Sequence, residues 1–364
     1  MRHALIMAGG AGTRLWPVSR KARPKQLIPF VGGKSLLEIA FSRMEGLIEP
    51  ARRYVCAGEA HREIIVSSLE GLSKKQYLGE PVGRDTLSAL AFSSAVITRA
   101  DPEAIIAVFT ADHIITPEED FRDIIDTGCR IVEENPDTLL TFGITPDYPA
   151  TGFGYLQLGE GYAHGSKVVD RFREKPDLES ARSYLAAGSD HYLWNSGMFV
   201  WKAATFLDCV HRYEPGVYEG IMNIAEAWEK DDYSDVIKRV YPSLKKISVD
   251  YAVMEPASAD SGVSVAALPM CLSWIDIGSW PAYGEILEKD EDGNVRSAEK
   301  QVLMDCRGSQ IVSDEPGHLI AGIGLEDLIV VHTGNATLIC RKDRAEDIKK
   351  LQAIVQEKLG NDYV

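Results

Sequence analysis

Long apolar runs are missing from this sequence. No stretch approaches the roughly 20 consecutive apolar residues that a membrane-spanning helix needs, so a membrane protein is not expected. The first seven residues run straight into glycines and make no secretory leader, which leaves the cytoplasm as the expected compartment. Paired cysteines are missing as well. Cys56, Cys129, Cys209, Cys271, Cys306 and Cys340 are scattered without a C-x-x-C pair, which indicates neither a thiolate zinc site nor a disulfide framework and leaves reduced, mostly core residues. There is no low-complexity segment and no long flexible linker. With 364 residues, 45% of them hydrophobic, there is chain enough for about two domains.

Positive charge is in short supply overall. The formal net charge of -15 excludes a general nucleic-acid or anionic-membrane binder, because neutralising a phosphate backbone needs a basic face. Acidic residues, in turn, are absent from the first 37 positions. That stretch carries Arg2, Arg14, Arg20, Lys21, Arg23, Lys25 and Lys34 and no Asp or Glu before Glu38. A local positive site in an acidic protein suits a small polyanion.

What is present is an alternation of short apolar runs with helical patterns. This predicts an α/β fold, a doubly wound and mostly parallel sheet with helices on both faces. Strands are expected at 3–7, 54–57, 105–110 and 139–144, and helices at 61–69 and 86–100. Ser35-Leu36-Leu37-Glu38 reads as a capping box, opening a helix whose apolar face continues through Leu47. Thr116-Pro117-Glu118-Glu119 reads as a second helix start with Pro117 at the first helical position. Segments 152–158, 166–173 and 196–201 are further strands, beyond what a minimal doubly wound domain requires. After about residue 300 short β-rich pieces near Ile311, Leu319, Leu328 and Leu338 indicate a small β domain, β-helix-like, closed by a charged amphipathic helix over 343–359. Their spacings of 8, 9 and 10 residues are too irregular to define a repeat. The expected division is an α/β domain over 1–290, with additions over about 151–290 that can build a second substrate's pocket on the half ending near 150, followed by a small β domain over 291–364.

The loop Ala8-Gly9-Gly10-Ala11-Gly12-Thr13-Arg14 directly follows the first strand. Its backbone N–H groups can converge at the strand's carboxyl end, where open α/β sheets bind ligands. A glycine cluster can equally be only a tight turn, but the basic, acid-free company of Arg14 and Lys25 favours phosphate. The loop lacks the third glycine of G-x-G-x-x-G and the Gly-Lys-Ser/Thr ending of a P-loop, which counts against a dinucleotide oxidoreductase. Asp112 stands just beyond the strand 105–110, and Asp276 sits in Trp274-Ile275-Asp276-Ile277-Gly278. Each is placed either for a ligand or for a turn or N-cap role. Arg171-Phe172-Arg173-Glu174-Lys175-Pro176 reads as a solvated strand end or a small binding element, and Asn195 as a turn residue or a hydroxyl ligand.

Taken together these motifs resemble a known family over nearly the whole chain. Gly9 to Pro17 with Pro24-Lys25-Gln26 is similar to the signature of sugar-nucleotide pyrophosphorylases, and Trp16-Pro17-x-Ser19-Arg20 resembles the mannose-1-phosphate guanylyltransferase branch. The resemblance implies transfer of a guanylyl group from GTP to mannose-1-phosphate, giving GDP-mannose and pyrophosphate. It implies nucleotide binding by Ala8, Gly9, Gly10, Gly12, Thr13, Arg14 and Lys25, with Glu80, Gly83 and Arg84 near the base. It makes Arg14, Lys25, Asp112 and Asp276 the catalytic set, the two aspartates holding Mg²⁺ or another divalent cation, with His113 a packing neighbour. Gly152, Glu174, Lys175 and Asn195 are implied as the sugar-phosphate ligands. Ser248 to Glu255 also resembles the family and reads mainly as core, through Tyr251, Val253 and Met254. The chain departs from the family in carrying Asp85 and Leu87-Ser88-Ala89 where Asn and Ala-Pro-Ala are usual, in the region that reads the base. A homodimer contacting through the C-terminal β segment is a further implication. Two alternatives stay open: another hexose-1-phosphate and nucleoside triphosphate pair, such as glucose-1-phosphate with GTP or UTP, and a sugar-nucleotide-binding regulatory subunit without turnover. No Ser-His-Asp or Cys-His arrangement is required, because a sugar phosphate is already an anionic nucleophile.

Overall fold

The fold is that of a computed structural model and covers residues 1–10 and 12–364. The chain forms two compact units, each built from separate stretches: Met1–Gly9, Ala40–Ala111 and Ile115–Trp274 in the first, and Gly10–Ile39, Asp112–Ile114 and Ile275–Val364 in the second. The segment that carries the basic loop therefore packs with the C-terminal residues, a grouping that sequence order does not suggest.

The strands of the first two-thirds are β1 (Arg2–Met7), β2 (Arg53–Gly58), β3 (Tyr77–Glu80), β4 (Ile105–Thr110), β5 (His113–Thr116), β6 (Thr138–Ile144), β7 (Tyr155–Gly161), β8 (Lys167–Arg173), β9 (Tyr192–Lys202), β10 (Ser264–Pro269) and β11 (Ser273–Asp276). All except β5 and β11, which pair with each other, form a nine-stranded sheet in the order β3-β2-β1-β4-β9-β6-β10-β8-β7. From the pairings, only β8 and β9 run against the rest. Strands β4 and β6 are near-continuous apolar runs, Ile-Ile-Ala-Val-Phe-Thr and Thr-Leu-Leu-Thr-Phe-Gly-Ile, buried along almost their full length. That is the composition of strands covered on both faces.

The helix Asp85–Ala100 is buried continuously from Leu87 to Ile97, so it serves as a core helix, lying among the helices Ala203–Tyr213, Pro215–Ala227 and Tyr233–Val240. Asp85, which opens it, has φ 67. Asn and Asp are the non-glycine residues that best tolerate this left-handed geometry, so the departure from Asn leaves the backbone undisturbed. The capping box forms as read: Ser35 N–H donates to Glu38 Oε2 at 2.6 Å and Glu38 N–H to Ser35 Oγ at 3.2 Å. The helix Leu36–Ser42 is shorter than its apolar pattern. Where the helix gives way to turns, the buried Arg53 guanidinium donates to the carbonyls of Phe41, Met44 and Ile48. Pro117 is extended (ψ 148) and precedes the helix Glu118–Glu134 by one residue.

The second unit carries β12 (Val295–Ser297), β13 (Lys300–Met304), β14 (Gln310–Ser313), β15 (Leu319–Ile323), β16 (Leu328–Thr333) and β17 (Ala336–Arg341). β12, β14 and β16 pair in parallel, as do β13 and β15, while β17 returns antiparallel to β16. Alternate strands therefore lie on different faces, in the manner of β-helix coils. The core of this unit joins Leu15, Trp16, Ile28 and Phe30 of the N-terminal segment to Ile277, Trp280, Tyr283, Ile329 and Leu338. The chain closes with a 3₁₀ turn, Lys342–Asp347, and the helix Ile348–Leu359.

Candidate active site

In the second unit Gly10 and Gly12 shape the basic loop, while Ala11 lies outside the described residues. Gly12 is left-handed (φ 57), and a Cβ there would stand 2.5 Å from Ser19 Oγ and 2.9 Å from Lys25 Cβ. Only glycine lets the loop close over the stem of Lys25. Thr13 and Arg14 enter the short 3₁₀ turn Thr13–Leu15.

Lys25 is 7% exposed. Its Nζ donates to Asp112 Oδ2 at 2.7 Å and to the Ile277 carbonyl at 3.2 Å. Asp112 follows β4 and Asp276 ends β11, and the Ile277 N–H donates to the Asp112 carbonyl at 3.0 Å. Ligand atoms of Asp112, His113 and Asp276 lie within 4.8 Å of one another. Burial pushes the Asp112 carboxyl up, but Lys25 and His113 outweigh it and hold it below the usual carboxylate range. Burial, and then the charge of Asp112, push Asp276 the other way. Its Oδ1 is buried with no hydrogen-bond partner. Two neighbouring carboxylates with an orphaned buried oxygen suit a divalent cation of oxygen-ligand preference. Arg14 Nη1 meets Glu346 Oε1 at 2.9 Å, and its Nη2 would lie 3.1 Å from a Cβ on Gly278.

In the first unit Ala8 extends β1, and its N–H is taken by the Cys56 carbonyl at 2.8 Å, so that N–H is not available to a phosphate. Glu80 ends β3 buried, and its Oε2 would stand 3.9 Å from a Cβ on Gly9. Arg84 N-caps the helix Asp85–Ala100, with Nε buried and unpartnered. Gly83 and Gly152 are exposed, with open space where a Cβ would point.

A second cluster of this unit gathers Glu174, Lys175 and Asn195 with a residue whose sequence context reads as core, Asp250. Lys175 Nζ donates to Glu174 Oε1. Asn195 Nδ2 donates to Asp250 Oδ1 at 3.0 Å, while its Oδ1 accepts from Thr141 Oγ1 at 2.7 Å. The amide is thereby oriented, with one N–H and one lone pair left for a ligand. Asp250 opens a π-helical turn, Asp250–Met254, a local geometry that recurs at functional sites. The signal available in the sequence was a lone acid inside an otherwise core-like run, Val249-Asp250-Tyr251-Ala252-Val253-Met254.

Burial, and next the charge of Glu174, push the Asp250 carboxyl up to about 7. An unfolded Asp250 ionises in the ordinary carboxylate range. The stability gained from its neutral folded form is therefore full in acid and is lost as pH rises through about 7. Asp250→Asn, which stays neutral, is expected to melt above wild type at both pH 5.5 and pH 8, the gap widening by on the order of 2 kcal/mol, or roughly 5 °C, between the two pH values, as measured by thermal denaturation.

The second unit thus brings together Lys25, Asp112 and Asp276, and the first Glu174, Lys175, Asn195 and Asp250; by its family the chain is a nucleotidyltransferase. Residues 3–293 match the nucleotidyl transferase family, and residues 299–356 match the mannose-phosphate isomerase/GMP-like β-helix domain. The chain is 37% identical to a mannose-1-phosphate guanylyltransferase of Klebsiella pneumoniae, over 99% of this chain and 75% of that one. It is 35% identical to the xanthan biosynthesis protein XanB of Xanthomonas campestris pv. campestris, over 95% and 72%. The crystal structure of a mannose-1-phosphate geranyltransferase from Thermus thermophilus superimposes with a TM-score of 0.85 at 29% identity, covering 98% of this chain and 99% of that one. The chain belongs to the mannose-1-phosphate guanylyltransferase family.

Proposed function

We propose that the protein joins GTP and α-D-mannose 1-phosphate to give GDP-mannose and pyrophosphate. The observation that carries this reading is the Lys25–Asp112 pair set beside Asp276 with its unpartnered Oδ1. It is an arrangement of opposite charges suited to a cation and a polyphosphate together. Arg14 and Lys25 neutralise the triphosphate and the charge that gathers on departing pyrophosphate. Asp112 and Asp276 would hold Mg²⁺, which supplies Lewis-acid polarisation of the α-phosphate when bound.

Glu174 accepts from vicinal sugar hydroxyls, Lys175 meets the sugar's phosphate, and the oriented Asn195 amide reads a further hydroxyl. A phosphate oxygen of the sugar attacks the α-phosphorus, the new P–O bond forming as the α–β bridge breaks and its electron pair leaves on pyrophosphate. The nucleophile is already anionic, so the residues position and neutralise rather than remove a proton. Glu80 is placed to accept the guanine N1–H and N2–H, and Arg84 to donate to O6. The cytoplasmic setting and a homodimer belong to the same proposal.

Pyrophosphate release by the purified protein across a matrix of nucleoside triphosphates and hexose-1-phosphates tests the reading. GTP with mannose-1-phosphate should be turned over fastest, and chelation of divalent cations should bring the rate to background. Silence with every pair, while GDP-mannose still binds, would replace the enzyme with a sensor.

A further inference from the structure

Glu80 is in an unusual position for a carboxylate. Its residue is 8% exposed, and no cation pairs with it among the described residues. The groups around it are acidic, phenolic or a thiol, with Tyr77 of its own strand among them. Asp85 at the start of the helix Asp85–Ala100 and the buried Cys56 of β2 couple to it electrostatically, and Tyr233 lies close to Tyr241. Its hydrogen bond comes from Tyr241, whose hydroxyl donates to Glu80 Oε1 at 2.7 Å. Tyr241 is fully buried. It opens the short 3₁₀ turn Tyr241–Ser243 after the helix Tyr233–Val240, and its ring meets Phe92 edge-on at 6.1 Å and 77°. Phe92 in turn meets Trp228 at 5.8 Å. The hydroxyl is therefore held by packing on the ring.

Glu80 Oε1 accepts from a fixed donor and keeps a second lone pair for another. The other oxygen, Oε2, faces the place where Gly9 has no side chain. We propose that Tyr241 is the positioning residue for base choice: by holding Glu80 Oε1 it orients the carboxylate to take the adjacent N–H donors of guanine and refuse adenine. The proposal rests on the reading of Glu80 as the base contact and extends it to a residue remote from any substrate.

Two opposing effects act on Glu80. Burial pushes its carboxyl above the ordinary range, and the Tyr241 hydrogen bond offsets only part of that rise. A protonated carboxyl can donate, and it then loses its selectivity for a purine edge that offers donors. Adenine presents an acceptor at N1, so an ionised Glu80 repels it. Hypoxanthine keeps N1–H and lacks the 2-amino group, which makes ITP the graded probe.

The test compares wild type, Tyr241→Phe and Glu80→Gln. The substrates are GTP, ITP and ATP with mannose-1-phosphate, and kcat and KM are measured separately between pH 6 and 8.5. Tyr241→Phe keeps the ring packing against Phe92, and a melting curve establishes that the variant is folded. If it is not, Tyr241→Trp is carried through the same series. The proposal expects the GTP-over-ATP preference of Tyr241→Phe to fall about tenfold or more, mainly through KM. It also expects a GTP KM that rises as pH falls from 8 to 6.5, a dependence that wild type shows weakly.

If Glu80→Gln loses discrimination while Tyr241→Phe keeps it, the role of Tyr241 is overturned and the base reading survives. If neither loses it, the base reading itself falls. A drop in kcat that is equal for all three nucleotides would reduce Tyr241 to packing and overturn the proposal.

Discussion

Lys25→Met is expected to lower kcat/KM for GDP-mannose formation by about 10³-fold, or about 4 kcal/mol of transition-state stabilisation. Methionine keeps the length and most of the volume of the side chain, so the stem can still lie under Gly12, where the fit is close. What disappears is the ammonium, and with it two bonds, to Asp112 Oδ2 and to the Ile277 carbonyl. A charge this buried is worth more than a surface lysine, because little water competes for it. The loss should appear mainly in kcat if Lys25 acts on the charge of the departing pyrophosphate, and mainly in the KM for GTP if it serves only binding. Steady-state rates at saturating mannose-1-phosphate separate the two. A fall of less than tenfold would remove Lys25 from the catalytic set. Lys25→Arg is a useful companion, since it retains charge. The guanidinium is larger and planar, and the enclosed space beneath Gly12 is matched to an unbranched stem, so rescue should be poor.

Much of this arrangement was legible in the sequence because its causes are local. The capping box at Ser35 and Glu38 and the apolar runs of β4 and β6 each follow from a few neighbouring residues. Asp112 could be placed at the end of β4 because a strand's end is a local fact. Less visible were features that depend on distant packing. The helix after Ser35 ends at Ser42, and Arg53, eleven residues beyond, donates to the carbonyls of Phe41, Met44 and Ile48 around its end. The β-helix escaped as a repeat because its unit is two strands. Parallel partners such as Ile311 and Val330, or Lys300 and Leu319, lie 19 residues apart, while Arg296 and Ile311 lie 15 apart. Strand-to-strand spacing along the chain mixes the two faces and hides that period. Asp250 was missed for a related reason. Its neighbours Val249, Ala252 and Val253 are core, and nothing in their spacing tells that a π-turn places the one acid among them beside Asn195.

Asp276→Asn should separate activity from stability in opposite directions. Asp276 is pushed up by burial and by Asp112, and its Oδ1 has no partner, so in the absence of a cation the ionised group is a cost to the fold. An amide of the same shape removes the repulsion, and the variant should melt at or above the wild-type temperature in the presence of chelator. Activity should move the other way. One of the two carboxylates that would hold the cation is lost, and turnover at ordinary Mg²⁺ should fall by at least about 10²-fold, with the half-saturating cation concentration raised by a similar factor. Asp112→Asn serves as the contrast, because Asp112 is held low by its pairing with Lys25. Removing its charge leaves a buried ammonium facing an amide, so this variant should lose both activity and stability. The pair of measurements is a melting curve with chelator and a cation titration of pyrophosphate release, applied to each variant. If Asp276→Asn retained full activity at the wild-type cation concentration, the carboxylate pair would be a structural feature of the turn and the cation would have to be held elsewhere. A parallel loss of stability in both variants would instead mean that Asp276 is stabilised by interactions that outweigh its orphaned oxygen.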